Sequence, residues 1–261
     1  MIPDEAFWHA LADAAAAVTL PRFRTGAPVE NKRAGGFDPV TTADRDAERA
    51  IRALIRESYP DDAIFGEEQA AQSGTSGRRW VIDPIDGTRA FVSGVPVWMT
   101  LVGLEIDGRA VAGLAAQPWT GERFLALDAD ATLLRGGERT QLRCRPSAPD
   151  DAIAMTVDPF LFEGAEREAF DAVRRGVRLV RYSADAYAFC GVALGTVQIA
   201  FERGVAPYDI GALIPLVEAA GGVFTTWDGG RPERGGNVVA SASTELHEWA
   251  LSRLQGVSAV R

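Results

Sequence analysis

Imidazole and thiol are scarce in this chain. His9 and His247 are the only histidines among 261 residues, and both lie near the ends, which leaves imidazole catalysis and histidine-metal chemistry with little to work with. Cys144 and Cys190 are the only cysteines. Two are too few for a disulfide scaffold at this length, neither sits in a zinc-ligand spacing, and a reducing cytoplasm is the simplest expectation. No apolar stretch is long enough to span a bilayer, and the start Met1-Ile2-Pro3-Asp4-Glu5 is acidic, so no secretory signal is expected. A basic surplus is missing as well: 27 Lys and Arg against 36 Asp and Glu leave a net charge of -9. That balance argues against nucleic-acid and anionic-membrane partners. Carboxylates remain to carry any chemistry.

What is present suits an ordinary globular protein, 47% hydrophobic and 24% charged, long enough for one large domain or two fused lobes. Helical spacing of apolar residues predicts a first helix from about Asp4 to Phe23, ended by Pro21. After a loop containing Gly35-Gly36-Phe37-Asp38-Pro39, a second helix opens at Thr41 or Thr42. Ala47, Ala50, Ile51, Leu54 and Ile55 form its expected buried stripe up to Tyr59-Pro60. Ala63-Ile64-Phe65 reads as a short strand ending at Gly66, and Gln72 to Gly77 as a surface loop. From Trp80 to Leu134 the pattern is strand-like, with runs at Met99 to Ile106, Ala110 to Gln117 and Arg123 to Leu127. After Pro146, short strands at 152–157, 178–182 and 197–201 alternate with helices near 162–175, 185–194 and 209–220. The expectation is an α+β lobe over residues 1–140 and an α/β lobe over 141–261, divided somewhere between Arg135 and Ser147.

Two segments stand out: Gly66-Glu67-Glu68, and Trp80-Val81-Ile82-Asp83-Pro84-Ile85-Asp86-Gly87-Thr88. The second starts as an apolar strand, breaks at proline, and delivers two carboxylates either side of Pro84-Ile85, just before a Gly-Thr turn. Carboxylates at a strand end followed by free backbone N–H groups can hold divalent cations on one side and a phosphate on the other. Metal-assisted phosphate-ester hydrolysis needs that pairing. Plainer readings exist for each piece. Adjacent glutamates are usually solvated surface, and Asp-Pro-x-Asp-Gly has turn composition. Together they favour metal binding, provided the two segments meet in space. Asp44 and Asp209 stand at predicted helix starts, where an acid complements the dipole or caps the helix, yet a side chain there can still face a cleft. Glu202 would ordinarily be a strand-end surface acid, and Asp185 a helix N-cap.

In combination these segments resemble the inositol-monophosphatase-like family of metal-dependent phosphatases. The resemblance rests on Asp38-Pro39-Val40-Thr41-Thr42-Ala43-Asp44, Gly66-Glu67-Glu68, the Trp80 to Thr88 segment, Pro207-Tyr208-Asp209 and Glu218-Ala219-Ala220-Gly221-Gly222, and it covers nearly the whole chain. It implies a layered αβαβα sandwich of the inositol-monophosphatase and fructose-1,6-bisphosphatase type, usually a homodimer, with two or three Mg²⁺ ions per active site and sensitivity to lithium. By the same resemblance Glu67, Asp83, the Ile85 carbonyl, Asp86 and Asp209 would be metal ligands, with Asp44 reaching a weaker ion through water. Glu67 and Thr88 would orient the attacking water, and the N–H groups of Gly87 and Thr88 would hold the phosphate.

The substrate's other end must be read elsewhere. Inositol-directed members typically have Thr-Asn-Phe after the Asp-Gly segment and Trp before the late Asp, where this chain has Arg89-Ala90-Phe91 and Tyr208. Those forms look more like the bacterial histidinol-phosphatase branch. Asp185 and Glu202 would then face the non-phosphate end, where two acids suit an amine or imidazolium better than neutral hydroxyls; Arg89 would pair with one of them or with a partner subunit. The expected reaction is hydrolysis of L-histidinol phosphate in histidine biosynthesis. An inositol-1-monophosphatase or a broader sugar-phosphate or nucleotide phosphatase is the alternative. A non-catalytic metal-binding relative would have lost a ligand or the water-orienting Thr, and none is missing.

Overall fold

The computed structural model describes residues 2–26, 30–31 and 39–255; the Gly35 to Asp38 part of the first loop lies outside them. Helix α1 (Glu5–Thr19) starts at Asp4, whose carboxylate accepts the Phe7 N–H. It stops four residues before the expected end, because Pro21 sits in a 3₁₀ turn over Leu20–Arg22. A two-residue ribbon, β1 (Glu30–Asn31) with β2 (Pro39–Val40), leads to α2 (Thr42–Ser58).

The first sheet has seven strands in sequence order: β3 (Ala63–Gly66), β4 (Arg78–Asp86), β5 (Met99–Ile106), β6 (Arg109–Gln117), β7 (Glu122–Leu127), β8 (Asp130–Arg135) and β9 (Glu138–Gln141). Only β3 and β4 pair in parallel. A single-turn helix, α3 (Thr88–Val92), follows β4. The second half supplies β10 (Ile153–Thr156), α4 (Gly164–Gly176), β11 (Leu179–Tyr182), α5 (Ala186–Leu194), β12 (Ile199–Val205), α6 (Pro207–Ile210), α7 (Leu213–Ala219), β13 (Val223–Thr226), β14 (Gly236–Ser241) and α8 (Thr244–Leu254). Its sheet runs β11-β10-β12-β14-β13. Strands β13 and β14 and helix α8 did not register as elements in the sequence pattern.

Three apolar interfaces stack these elements into five layers. Side chains of a strand alternate between faces, and both sheets use the alternation. Val102 and Leu104 pack with Trp8, Leu11, Ile51 and Ile55 of α1 and α2. The opposite face presents Met99, Leu101, Ala115 and Phe124 to α5 and α7, where Ala200, Val238 and Ala240 of the second sheet meet them. Ile199, Phe201 and Val239 face outward onto Phe170 and Val173 of α4 and Leu246 and Ala250 of α8. The result is the αβαβα sandwich, with a central helical layer buried on both sides.

The helix expected over 209–220 is two helices, α6 and α7, and Pro215, early in α7, has no N–H to give the Gly211 carbonyl. Where α6 gives way to α7, the backbone lies directly on the first sheet. A Cβ at Gly103 would fall 2.6 Å from the Gly211 carbonyl carbon, and one at Gly113 would fall 2.2 Å from the Ala212 carbonyl oxygen. Two strand glycines therefore seat the chain that carries Asp209 against the sheet that carries Asp83 and Asp86.

Candidate metal centre and substrate pocket

Asp83 and Asp86 are three residues apart, so in a regular strand their side chains would point to opposite faces. Strand β4 avoids this with a bulge. Asp83 pairs with Leu101 and Asp86 with Met99, so two residues, Pro84 and Ile85, oppose the single Thr100. The Thr100 hydroxyl donates to the Pro84 carbonyl (2.8 Å) and pins the bulge, and proline, which has no N–H, suits such a site. Both carboxylates then reach the same side. They meet Asp209, and one oxygen from each of the three lies within 4.8 Å of the others.

Each acid is held by backbone or hydroxyl donors. Asp83 accepts the Ile85 N–H (3.0 Å). Asp86 accepts the Ala186 N–H (2.7 Å), so the first amide of α5 is capped by a residue from the other sheet. Asp209 is the third residue of α6 and accepts the Ala206 N–H (2.7 Å); it is thus the returning half of a capping arrangement, not the N-cap itself. Asp44 is likewise the third residue of α2, accepting from the Thr41 N–H (2.8 Å) and hydroxyl (2.6 Å). Its other oxygen lies 3.4 Å from the Thr88 hydroxyl, which is 3.1 Å from the Ile85 carbonyl. Glu67 follows β3, its N–H donating to the Ile82 carbonyl (3.2 Å) beside Asp83.

Glu67, Asp83, Ile85, Asp86, Gly87, Thr88, Asp185, Glu202 and Asp209 line one cavity of about 240 Å³. Asp44 sits behind it, under Thr88, and is fully buried. Arg89 is exposed on α3, and its charge offsets part of the rise that burial gives the Asp185 carboxyl. A larger cavity, about 780 Å³, lies between the start of α1 and β7 to β9, away from these acids.

Asp185 occupies the N-cap position of α5 but its side chain makes no cap hydrogen bond, so the plain capping alternative does not account for its carboxylate. Its backbone is held at φ 44°, ψ −138°, a conformation costly for any residue with a Cβ. The carboxylate turns instead toward Gly87, where a Cβ would fall 2.8 Å from the Asp185 Oδ2. Gly87 is itself at φ +75°, so position and contact both require glycine there. Glu202 is no surface acid. It is 6% exposed, sits where β12 shifts register against β14, and accepts the Val157 N–H at 2.5 Å.

Burial and crowding oppose ionisation at Asp44, Asp83 and Asp86, and burial does so at Asp185 and Glu202. Burial, then Glu67, Asp86, Asp209 and Asp44, push the Asp83 carboxyl well above the ordinary range. Asp86 is pushed well up by burial, then by Asp185 and Asp209. Asp44 is raised by burial against the opposing Thr41 hydrogen bonds. Burial lifts Asp185 to about 6 and Glu202 well above the usual glutamate value. The neighbours acting most strongly on Asp83 are all acids, so the group as a whole calls for a cation.

Sequence reasoning missed Val157, Leu161, Phe189 and Arg203, which also line the cavity. It also missed Glu48 and Arg52, an ion pair buried beneath Gly66-Glu67-Glu68. Their signal was available: with Asp44 they stand at i, i+4 and i+8 on one helix, immediately beside the apolar stripe.

A five-layered αβαβα sandwich with buried and half-buried carboxylates gathered at a strand end, beside a Gly-Thr helix start, is built for metal-dependent hydrolysis of phosphomonoesters. The model of the inositol monophosphatase family matches residues 3–259, and the chain belongs to that family, whose members are metal-dependent phosphomonoester hydrolases. The chain is 35% identical over 258 residues to the bifunctional phosphatase IMPL2 of Arabidopsis thaliana, covering 95% of this chain and 73% of that one. It is 34% identical to a histidinol-phosphatase of Chlorobaculum parvum, over 94% of each. The solved inositol monophosphatase of Zymomonas mobilis superposes with a TM-score of 0.83 at 37% identity, over 96% of each chain. Among the described residues no helix is long and apolar enough to cross a membrane.

Proposed function

We propose that this phosphatase hydrolyses L-histidinol phosphate to L-histidinol and phosphate with Mg²⁺. The observation that carries this reading is the placement of Asp185 and Glu202 in the same cavity as Asp83, Asp86 and Asp209. A phosphate drawn to cations at one end leaves a group facing two acids at the other, and an amine or imidazolium fits that environment. The likeness to histidinol-phosphatases supports it.

The donor set of carboxylates and a backbone carbonyl is hard oxygen throughout, which suits Mg²⁺. Glu67, Asp83, the Ile85 carbonyl, Asp86 and Asp209 would hold the ions, with Asp44 acting through water. When bound, such ions polarise the phosphoryl oxygens and make water a stronger nucleophile at neutral pH. The chain's own residues then place the reactants. The Thr88 hydroxyl donates a hydrogen bond to the Ile85 carbonyl or Asp44, which leaves its oxygen lone pairs to accept from a water; Glu67 would take a proton from that water as it attacks in line, and the alkoxide released as the P–O bond breaks would take up a proton from solvent water. The N–H groups of Gly87 and Thr88 hold the phosphate at the start of α3. Cytoplasmic location, a homodimer and lithium inhibition belong to the same proposal.

A second reading, hydrolysis of inositol 1-phosphate, is favoured by the likeness to the Zymomonas mobilis enzyme. Phosphate release from a panel of monoesters with Mg²⁺ separates the two. Preference for histidinol phosphate over inositol phosphate is expected, and the reverse order would overturn the substrate assignment. Asp86→Asn and Asp209→Asn should each nearly abolish release; full activity in both would overturn the site.

A further inference from the structure

Four acids are brought to the cluster by different means. Asp83 and Asp86 stand on a strand, and Asp44 and Asp209 are fixed in the first turns of helices. Glu67 alone stands in a loop, one residue beyond β3. Something else must set its posture.

Glu48 does so from below. It lies on α2 one turn after Asp44 and is fully buried. One carboxylate oxygen accepts the Glu68 N–H (2.7 Å), and the other accepts the Gln69 N–H (3.2 Å). The two amides that follow Glu67 are therefore tied to a single side chain. On the other flank the Glu67 N–H is tied to the Ile82 carbonyl (3.2 Å). Arg52, one turn further along α2, grips Glu48 (Nε to Oε1, 2.6 Å) and donates to the Gln69 carbonyl (3.2 Å). Gly66 makes room for the contact, since a Cβ there would fall 2.3 Å from the Glu48 Oε1.

A fully buried ion pair is poor value for stability compared with packed apolar side chains. Here the neighbouring positions of α2 already form an apolar stripe of Ala43, Ala47, Ile51 and Ile55, so the polar row serves a different purpose. Groups that orient a ligand through hydrogen bonds commonly set metal affinity. We propose that Glu48, clamped by Arg52, is a positioning residue that presents the Glu67 carboxylate to the metal centre by holding the two amides after it. The inference rests on the reading of Glu67 as a metal ligand.

The test is calorimetric titration of the purified, metal-free protein with Mg²⁺, alongside the Mg²⁺ dependence of turnover and the melting temperature in chelator. In Glu48→Gln the amide group can accept only one of the two N–H bonds and places a second donor against Arg52. In Gly66→Ala the ion pair stays chemically intact but the new methyl displaces it. Both should raise the Mg²⁺ dissociation constant roughly 10–100-fold. Half-maximal activation should move by a similar factor, while turnover at saturating Mg²⁺ changes far less. A lower melting temperature with unchanged Mg²⁺ affinity would mean a purely structural role and overturn the inference. Should Glu48→Gln fail to fold, Arg52→Lys keeps the charge and both amide bonds but drops the Gln69 carbonyl contact. It should weaken Mg²⁺ binding by a smaller factor, and wild-type affinity in that variant would also overturn the inference. Asp83→Asn serves as the control: if it binds Mg²⁺ as well as wild type, the metal-site reading itself fails. If Asp83→Asn loses Mg²⁺ while the Glu48, Gly66 and Arg52 variants keep it, only the positioning role fails.

Discussion

Replacing Asp83 with Asn should make the metal-free protein more stable while removing its response to Mg²⁺. Asp83 is 2% exposed and has Asp86 and Asp209 oxygens within 4.8 Å. Two unit charges at that separation repel by about 3 kcal/mol at an effective dielectric near 20. Proton uptake already relieves part of this, because the carboxyls are pushed above their ordinary range. The hydrogen bond from the Ile85 N–H survives, since the Asn carbonyl oxygen can accept it. A net gain of about 1–3 kcal/mol is therefore expected in chelator, equivalent to a rise in melting temperature of roughly 2–10 °C for a chain of this size. Wild type at 100 times the Mg²⁺ dissociation constant should gain about 2.7 kcal/mol by linkage, and the variant almost none. The assay is scanning calorimetry at neutral pH, in chelator and in a Mg²⁺ series. If Asp83→Asn melts below wild type in chelator, or rises with Mg²⁺ as wild type does, then these carboxylates are not a strained, cation-seeking cluster.

Asp185→Asn removes the charge we propose to face the substrate's far end, so kcat/KM on histidinol phosphate should fall about 10–100-fold, the value of one charge-assisted hydrogen bond. Esters without a positive charge should be affected little, and an equal loss on both would remove Asp185 from substrate recognition. The hairpin joining β7 and β8 turns through Asp128 and Ala129 at φ 50° and 65°, the left-handed geometry that favours glycine. Ala129→Gly should therefore stabilise the fold by about 1 kcal/mol in a denaturant titration; a loss of stability would refute the strain argument. His247 is buried against the Thr225 and Ser241 hydroxyls, and burial lowers it to about 4. Because the folded state prefers the neutral ring, its contribution is intact above about pH 6.5 and is lost as pH falls toward 4, up to about 3 kcal/mol in all. An NMR titration resolves it, with two histidines to assign, and the stability difference from His247→Gln should shrink over the same window; a ring titrating near 6.5 would refute the burial argument.

The parts of this site legible in the sequence were those written within a few consecutive residues. Gly66-Glu67-Glu68 and Asp83 to Thr88 carry their strand, break and acids locally; period-2 and helical patterning mark most strands and helices of both halves, whereas the five-layered order comes from the family resemblance. The parts not legible depend on what lies across the molecule. Nothing near Ala186 signals that Asp86, 100 residues earlier, will accept its N–H, which is why a helix cap and a substrate-facing acid stayed open as readings of Asp185. Nothing near Asp209 signals that Gly103 and Gly113 will receive the Gly211-Ala212 backbone, whereas the division into α6 and α7 had a local signal in Pro215, which the reading of one helix passed over. Asp44, Glu48 and Arg52 are instructive in another way. Amphipathic reasoning assigns charged residues on a helix to solvent, and here that rule fails along one continuous row leading to the acidic cluster proposed to hold metal. A charged stripe at i, i+4 and i+8 bordering an apolar one, on a helix whose first turn carries a site acid, is thus better read as pointing inward: burying it without apolar gain makes sense only where the charges hold something in place.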